Sequence, residues 1–414
     1  MGMRRSQGRT TAVAALLVAG AAVLACGEDL LAPGDGTCPA YCPPERVVVV
    51  DTLLAQNVTG DSTFVGYVRA SEAGVLQLVS DSGSATLPTS RAVVRFRQFS
   101  ERMLLGAGDT TTAAVLQIDS FTVEVDIRGR NLDQAGLELV LYRLPADVDT
   151  TADFDALTPF FDDSTRIGTV PVPDTLIDGS VSLRLDSTAF PMFAADSNRA
   201  AVGVTLQAPN PAYANIGSLE TNAALILTRF AQVDSAGTAV PRSDGRLPNF
   251  DTFVAPAPPA RGPGEHATGG VPSARTLLRF AIPARVADSA TVLRATLVLV
   301  PTTPVFGAPG DSLRVIAQGL SADVGAKSPL VSVPPDSLTR RWAVLPTGWA
   351  DTVRLDVTDL VIGWSRFPSR PRAIMVRGTP EGSSFGEVRF AAGGAPGAPA
   401  LQITFVPPLT LGGR

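Results

Sequence analysis

Beyond Val47, apolar and polar residues alternate one by one along most of the chain. Phe121, Val123, Val125 and Ile127 interleave with Thr122, Glu124 and Asp126. A period of two is what a strand shows when one face is buried and the other is wet. The alternation returns in Leu137, Leu139 and Leu141, in Val181, Leu183 and Leu185, and in Val353, Leu355 and Val357. Pro, Gly, Asp and Ser punctuate the intervals, as they do where strands turn. The one plausible short helix is Thr151 to Phe161. The pattern predicts an all-β chain of antiparallel sheets.

Several short strings occur twice, in the same order. Asp61-Ser62-Thr63-Phe64-Val65 corresponds to Asp251-Thr252-Phe253-Val254, and Arg95-Phe96 to Arg279-Phe280. Arg184-Leu185-Asp186-Ser187-Thr188 corresponds to Arg354-Leu355-Asp356-Val357-Thr358, Ala201-Val202-Gly203-Val204 to Ala373-Ile374-Met375-Val376, and Ala224-Leu225-Ile226-Leu227-Thr228 to Ala400-Leu401-Gln402-Ile403-Thr404. Spacing drifts while order holds, as when loops change length between conserved strands. Each copy has the size of one β-sandwich or jelly roll, roughly 150 to 190 residues. The expected layout is an N-terminal β-sandwich over 47–236, a linker over 237–249 carrying Pro241, Gly245 and Pro248, and a C-terminal β-sandwich over 250–408. In the repeated Arg-Leu-Asp-x-Thr string, Leu185 and Leu355 are expected to face the core. Arg184, Asp186, Arg354 and Asp356 would lie on the other face, pairing across strands with Arg95 or Arg279 to fix register.

Upstream of the strands the pattern changes. Arg4, Arg5 and Arg9 precede an uncharged run from Ala12 to Ala25, too short to span a bilayer as a helix and of signal-peptide length. The run ends in Val23-Leu24-Ala25-Cys26-Gly27, which resembles the bacterial lipobox. That resemblance implies removal of residues 1–25 and a lipid on Cys26. Gly27 after the cysteine, by similarity to sorting in diderm bacteria, implies the outer membrane. Residues 26–46 read as a tether. Within it, Cys38 and Cys42 are close enough for a small local disulfide in an oxidising compartment.

The formal charge is −5, and loss of three leader arginines leaves 31 − 39 = −8. With a single lysine, Lys327, that balance argues against nucleic acid as the partner and against adhesion to anionic membrane by charge alone. The expected membrane contact is the acyl anchor. His266 is the sole histidine, which removes most metal and triad chemistry. No catalytic residue, metal or cofactor is expected.

The second half carries a further likeness. Arg275-Thr276-Leu277-Leu278-Arg279-Phe280, then Ile282-Pro283, then Ala290 to Leu299, then Leu355 to Val361 before Trp364, and a closing Pro399 to Phe405 follow one another in an order that resembles the DNRLRE-type jelly-roll module, also classed with carbohydrate-binding modules. The likeness spans about Asn249 to Pro407. It implies a non-catalytic β-sandwich on an exported bacterial protein, in some cases one that binds acidic polysaccharide. A Pro-rich stretch, Pro256 to Pro263, replaces the Gly and Asn residues that usually follow the module's opening strand.

Three stretches invite chemical readings. Gly382-Ser383-Ser384-Phe385-Gly386 matches a nucleophile-elbow pattern but lacks a following helix and a downstream histidine, so it reads as a tight polar turn. Asp147, Asp149, Asp153, Asp155, Asp162 and Asp163 lack EF-hand spacing and read as a solvated loop. Trp342 and Trp349, with Arg340 and Arg341, are the candidate glycan contacts, since guanidinium groups suit acidic sugars. Trp364 is expected in the core. The functional expectation is a non-catalytic, lipid-anchored envelope protein in a structural, adhesive or assembly role. The alternative is a carbohydrate-binding lipoprotein that contacts acidic polysaccharide.

Overall fold

A computed structural model describes residues 50–54, 58–80, 89–106, 110–190, 199–222, 225–287, 290–332 and 341–407. Cys26, Cys38, Cys42 and Arg340, like the leader and tether, lie outside the described residues. In chain order, β1 (Val50–Leu54) and β2 (Val58–Val65) come first. A first body follows: β3 (Val75–Ser80), β4 (Arg91–Phe96), β5 (Arg102–Leu104), β6 (Thr112–Arg130), β7 (Glu138–Arg143), β8 (Arg166–Pro171), β9 (Gly179–Asp186), β10 (Ala201–Gln207), β11 (Ala212–Gly217) and β12 (Ile226–Ser235). Then come β13 (Thr238–Arg246) and β14 (Pro248–Val254), and a second body: β15 (Glu265–Gly269), β16 (Ala274–Phe280), β17 (Thr291–Leu299), β18 (Ser312–Gly319), β19 (Trp342–Pro346), β20 (Val353–Asp356), β21 (Ala373–Gly378), β22 (Glu387–Ala391) and β23 (Ala400–Val406).

These strands form two antiparallel β-sandwiches, as the alternation predicts. In the first, the sheet β14-β4-β10-β7-β8 faces β13-β12-β6-β11-β3, with β9 and β5 also paired to β6. The alternating side chains Phe121, Val123, Val125 and Ile127 are fully buried between the layers with Leu139, Leu141, Val202 and Val204. In the second sandwich, β19-β18-β21-β16 with β15, β22 and β2 faces β1-β23-β17-β20. Leu278, Leu297, Val315, Leu355, Ile374 and Ile403 fill the space between.

The two sheet orders correspond strand for strand: β14-β4-β10-β7-β8 with β2-β16-β21-β18-β19, and β13-β12-β6-β9 with β1-β23-β17-β20. The repeated strings fall on corresponding strands, with Arg95 on β4 and Arg279 on β16, and Ala201 on β10 and Ala373 on β21. Yet the leading strands of each copy do not serve their own copy. β2 pairs with β16, Val65 opposite Ala274 and Asp61 opposite Leu278, while β1 pairs with β23. β14 pairs with β4, Asp251 opposite Val94, while β13 pairs with β12. The first sandwich is therefore β3–β14, inserted whole between β2 and β15 of the second.

This redraws the expected layout. The 237–249 stretch is not a linker: it holds β13 and the start of β14, both in ladders. Pro241, Gly245 and Pro248 read as breakers, but β13 is an edge strand and Pro248 opens β14. Both are places where a missing N–H costs the ladder nothing. Likewise 50–65 belongs with the C-terminal sandwich, not the N-terminal one.

The cross-strand ion pairs expected of the Arg-Leu-Asp-x-Thr string do not form. Leu185 and Leu355 face the core. The aspartate instead folds back on the threonine two residues on: Asp186 Oδ1 accepts Thr188 N–H at 2.9 Å, and Asp356 Oδ1 accepts Thr358 N–H at 3.0 Å. Arg95 donates to Asn249 and Val148, and Arg279 to Asp323. The string thus encodes a turn in both copies, because a short acid satisfies nearby backbone more readily than a distant partner.

Helix is sparse. The expected Thr151–Phe161 segment contains α1 (Phe154–Leu157), capped by Asp153. The sequence pattern missed α2 (Thr358–Arg366), which follows the second turn and buries Leu360, Val361 and Trp364. Trp364 lies in the core beside Phe280, as expected.

Candidate functional site

The wagered aromatic pair sits at opposite ends of β19. Trp342 opens the strand, with the Arg314 guanidinium 3.9 Å above its ring. Trp349 follows the turn beyond Pro346, 37% exposed, its Nε1–H donating to the Asp351 carbonyl. A five-residue strand separates them by about 13 Å at 3.3 Å per residue, too far for one shared platform. Arg341 is 5% exposed and turned to Asp359 at 3.3 Å, so its charge is engaged within the fold. The structure does not bring Trp342, Trp349 and Arg341 into one site.

Two concavities stand out among the described residues. The first, about 960 Å³, lies along the seam between the sandwiches, floored by Phe253 and Phe385 and walled by Phe154, Arg69 and the 256–259 run. Phe253 and Phe385 meet edge to face at 5.2 Å. The seam is fastened by polar groups that sequence could not pair. Gln77 Nε2 donates to Asp311 Oδ2 at 2.7 Å, Phe385 N–H donates to Gln77 Oε1 at 2.9 Å, and Asn131 Nδ2 donates to the Pro309 carbonyl at 2.9 Å. Burial raises the Asp311 carboxyl above its ordinary range. Glu387, also in the cleft wall, is held by Arg261 at 2.7 Å and Arg389 at 2.8 Å.

The second concavity, about 710 Å³, lies over the outer face of β6, β9, β12 and β13. Register sets Asp186, Ser120, Phe230 and Ser243 in one row across that face, with Arg184, Thr122 and Thr228 in the next. Phe230 is 38% exposed. Ser120 Oγ is buried with no hydrogen-bond partner among the described residues. Arg184 is exposed and makes no ion pair among them. This is one exposed aromatic ring set among hydroxyls, a carboxylate and a guanidinium, a mixture suited to polar, ring-bearing ligands. The 3.6-versus-2 pattern could not find it, since it depends on which strands become neighbours.

The sole histidine, His266, lies on β15. The Thr63 hydroxyl accepts Ala267 N–H at 3.1 Å and shares a hydrogen bond with His266 Nδ1 at 3.0 Å. His266 Nε2 stands 3.0 Å from Asp61 Oδ2, within ion-pair range but off hydrogen-bond alignment. The order Thr63, His266, Asp61 imitates a catalytic relay, but these groups line neither concavity and join β2 to β15. Gly382–Gly386 is a turn in which Ser384 Oγ accepts Gly386 N–H, with no helix after it. Three aspartates of the acidic loop cap their own turns: Asp149 holds Thr151, Asp153 holds Ala156 and Asp162 holds Ser164.

Asp251 occupies on β14 the place of Asp61 on β2. It is 3% exposed and accepts Leu219 N–H at 2.7 Å. Burial pushes its carboxyl up to about 6, outweighing the lowering effect of that N–H, and the nearby Glu220 adds to the rise. No family model matches the chain, and no curated protein matches it.

Proposed function

We propose that the protein is a non-catalytic, lipid-anchored component of the cell envelope with a structural, adhesive or assembly role. The observation that carries this is the run Val23-Leu24-Ala25-Cys26-Gly27 behind a basic start and an apolar core. An acyl chain on Cys26 would supply the membrane contact, the 27–46 tether the reach, and the paired sandwiches the presented body. Four buried or part-buried carboxyl groups support a structural reading. Asp61, Asp251, Asp311 and Glu387 each hold a strand, a turn or the seam. Replacing Cys26→Ser tests the anchor: the product is expected in the soluble fraction without lipid mass, and continued partition into detergent contradicts the proposal.

A second reading, contact with an acidic polysaccharide, is favoured by the groove at Phe230 rather than by Trp342 and Trp349. Arg184 would meet a carboxylate and Phe230 a sugar face. Retardation in a gel containing acidic polysaccharide, abolished by Phe230→Ala with Trp342→Ala unaffected, is the expected result for this reading; equal migration in all gels removes it.

A further inference from the structure

Repeat and pairing order together divide the chain into four blocks: the strands β1 and β2, the body β3–β12, the strands β13 and β14, and the body β15–β23. The two short blocks make the same ladders. β13 and β14 pair with β12 and β4; β1 and β2 pair with their counterparts β23 and β16. The β13–β14 block completes the body just before it in the chain. The β1–β2 block completes a body lying beyond the entire other sandwich. The molecule is a closed ring of two repeats, each lending its leading strands to the other.

We infer that this ring can open between molecules, so that β1–β2 of one chain completes β15–β23 of a second copy. An exchanged block makes the same ladders and side-chain contacts as the block of the same chain, so those contacts do not discriminate between the two. The choice falls to the connecting segment and to local concentration. Every anchor of β2 lies within the block or just after it. Asp61 meets His266, Thr63 accepts Ala267 N–H, Gly66 N–H donates to Ser273 O at 3.0 Å, and the Tyr67 ring packs 3.7 Å under the Arg275 guanidinium. Beyond them a short 3-10 turn, Ala70–Glu72, buries none of its residues fully; Ala70 rests against the first sandwich's core, and the next residue, Ala73, belongs to it. That turn is the hinge.

Without the block, β16 and β23 would present unpaired ladder edges, which are templates for an incoming strand. The occupant that reproduces the seven-pair register with β16 is the same segment of another copy. Two copies that trade blocks reciprocally close as a two-fold dimer, and a block passed on in one direction only builds a head-to-tail chain. This deepens the assembly role proposed above and rests on it only for where copies meet, since anchoring to one surface raises their effective concentration.

Val65 and Ala274 lie directly opposite in the ladder, a separation that a disulfide spans. In the full chain with Cys26, Cys38 and Cys42 changed to serine, two differently tagged variants, Val65→Cys and Ala274→Cys, are co-produced under oxidising conditions. Disulfide-linked hetero-pairs are expected, rising with expression level and exceeding Val65→Cys self-pairs several-fold. Hetero-pairs no more abundant than self-pairs, while both substitutions in one chain cross-link internally, overturn the inference. Deleting Ala70–Glu72 shortens the hinge and should convert monomer to higher oligomers by light scattering; a folded monomer counts against exchange, and if the deletion does not fold, the cysteine pairs decide. Neither readout uses the lipid, so the Cys26→Ser fractionation can fail independently.

Discussion

At the residue scale, the buried aspartates are where structure adds most to sequence. Asp251 sits at about 6 when folded against an ordinary value of 3.8. Its folded form binds the proton more tightly than the unfolded chain, so its contribution to stability is full below about pH 4. That contribution is lost as pH rises through 6, on the order of 3 kcal/mol across the window. Urea midpoints for the native chain and Asp251→Asn are therefore expected to converge toward pH 4 and diverge toward pH 7, with the variant the more stable. Parallel curves would mean that Asp251 is not held as described. The repeat matched the string at Asp251 with the one at Asp61 but gave no sign that this acid would be enclosed. Enclosure follows from the turn at Leu219, which is distant in sequence. The same limit applies to Arg341: adjacent to Trp342 and basic, it read as a surface contact, yet it is buried with its guanidinium paired to Asp359 on α2.

At the scale of elements, period two was a dependable guide where a strand has one buried and one wet face, as β6, β9 and β20 do. β10 and β21 are instead covered on both faces, by Leu144 and Leu157 and by Leu320. Phe121 to Ile127, Leu137 to Leu141 and Val353 to Val357 all bury the side chains that the pattern assigns to the core. α2 escaped because its apolar stripe, Leu360, Val361 and Trp364, is only three residues in nine and directly continues a strand pattern. Its signal was the Asp356-x-Thr358 turn, which was read as strand. The β13 and β14 strands escaped for the opposite reason. Prolines that break an interior strand are harmless at an edge or a strand start, so composition alone pointed to a linker. The candidate glycan residues were poorly legible for a related cause. Exposed aromatics can be counted in a sequence, but a groove such as that at Phe230, Ser120 and Arg184 is assembled by register across four strands.

At the scale of the whole molecule, duplication was readable as ordered strings, but the exchange of leading strands was not. A string says that two segments are alike and not which copy each completes. The exchange has a physical consequence for cooperativity. Phe385 and Ala308 of the second sandwich are counted in the first core, and Gln77 of the first reaches Asp311 of the second. Together with β1 and β2, these contacts leave neither half independent of the other. Hydrogen exchange on a chain lacking residues 50–65, with and without a synthetic 50–65 peptide, tests this most directly. Amides of β16 and β23 are expected to lose protection in the shortened chain and regain it with the peptide, while β4 and β12 keep theirs throughout. Unchanged protection of β16 and β23 in the shortened chain would contradict the exchanged architecture.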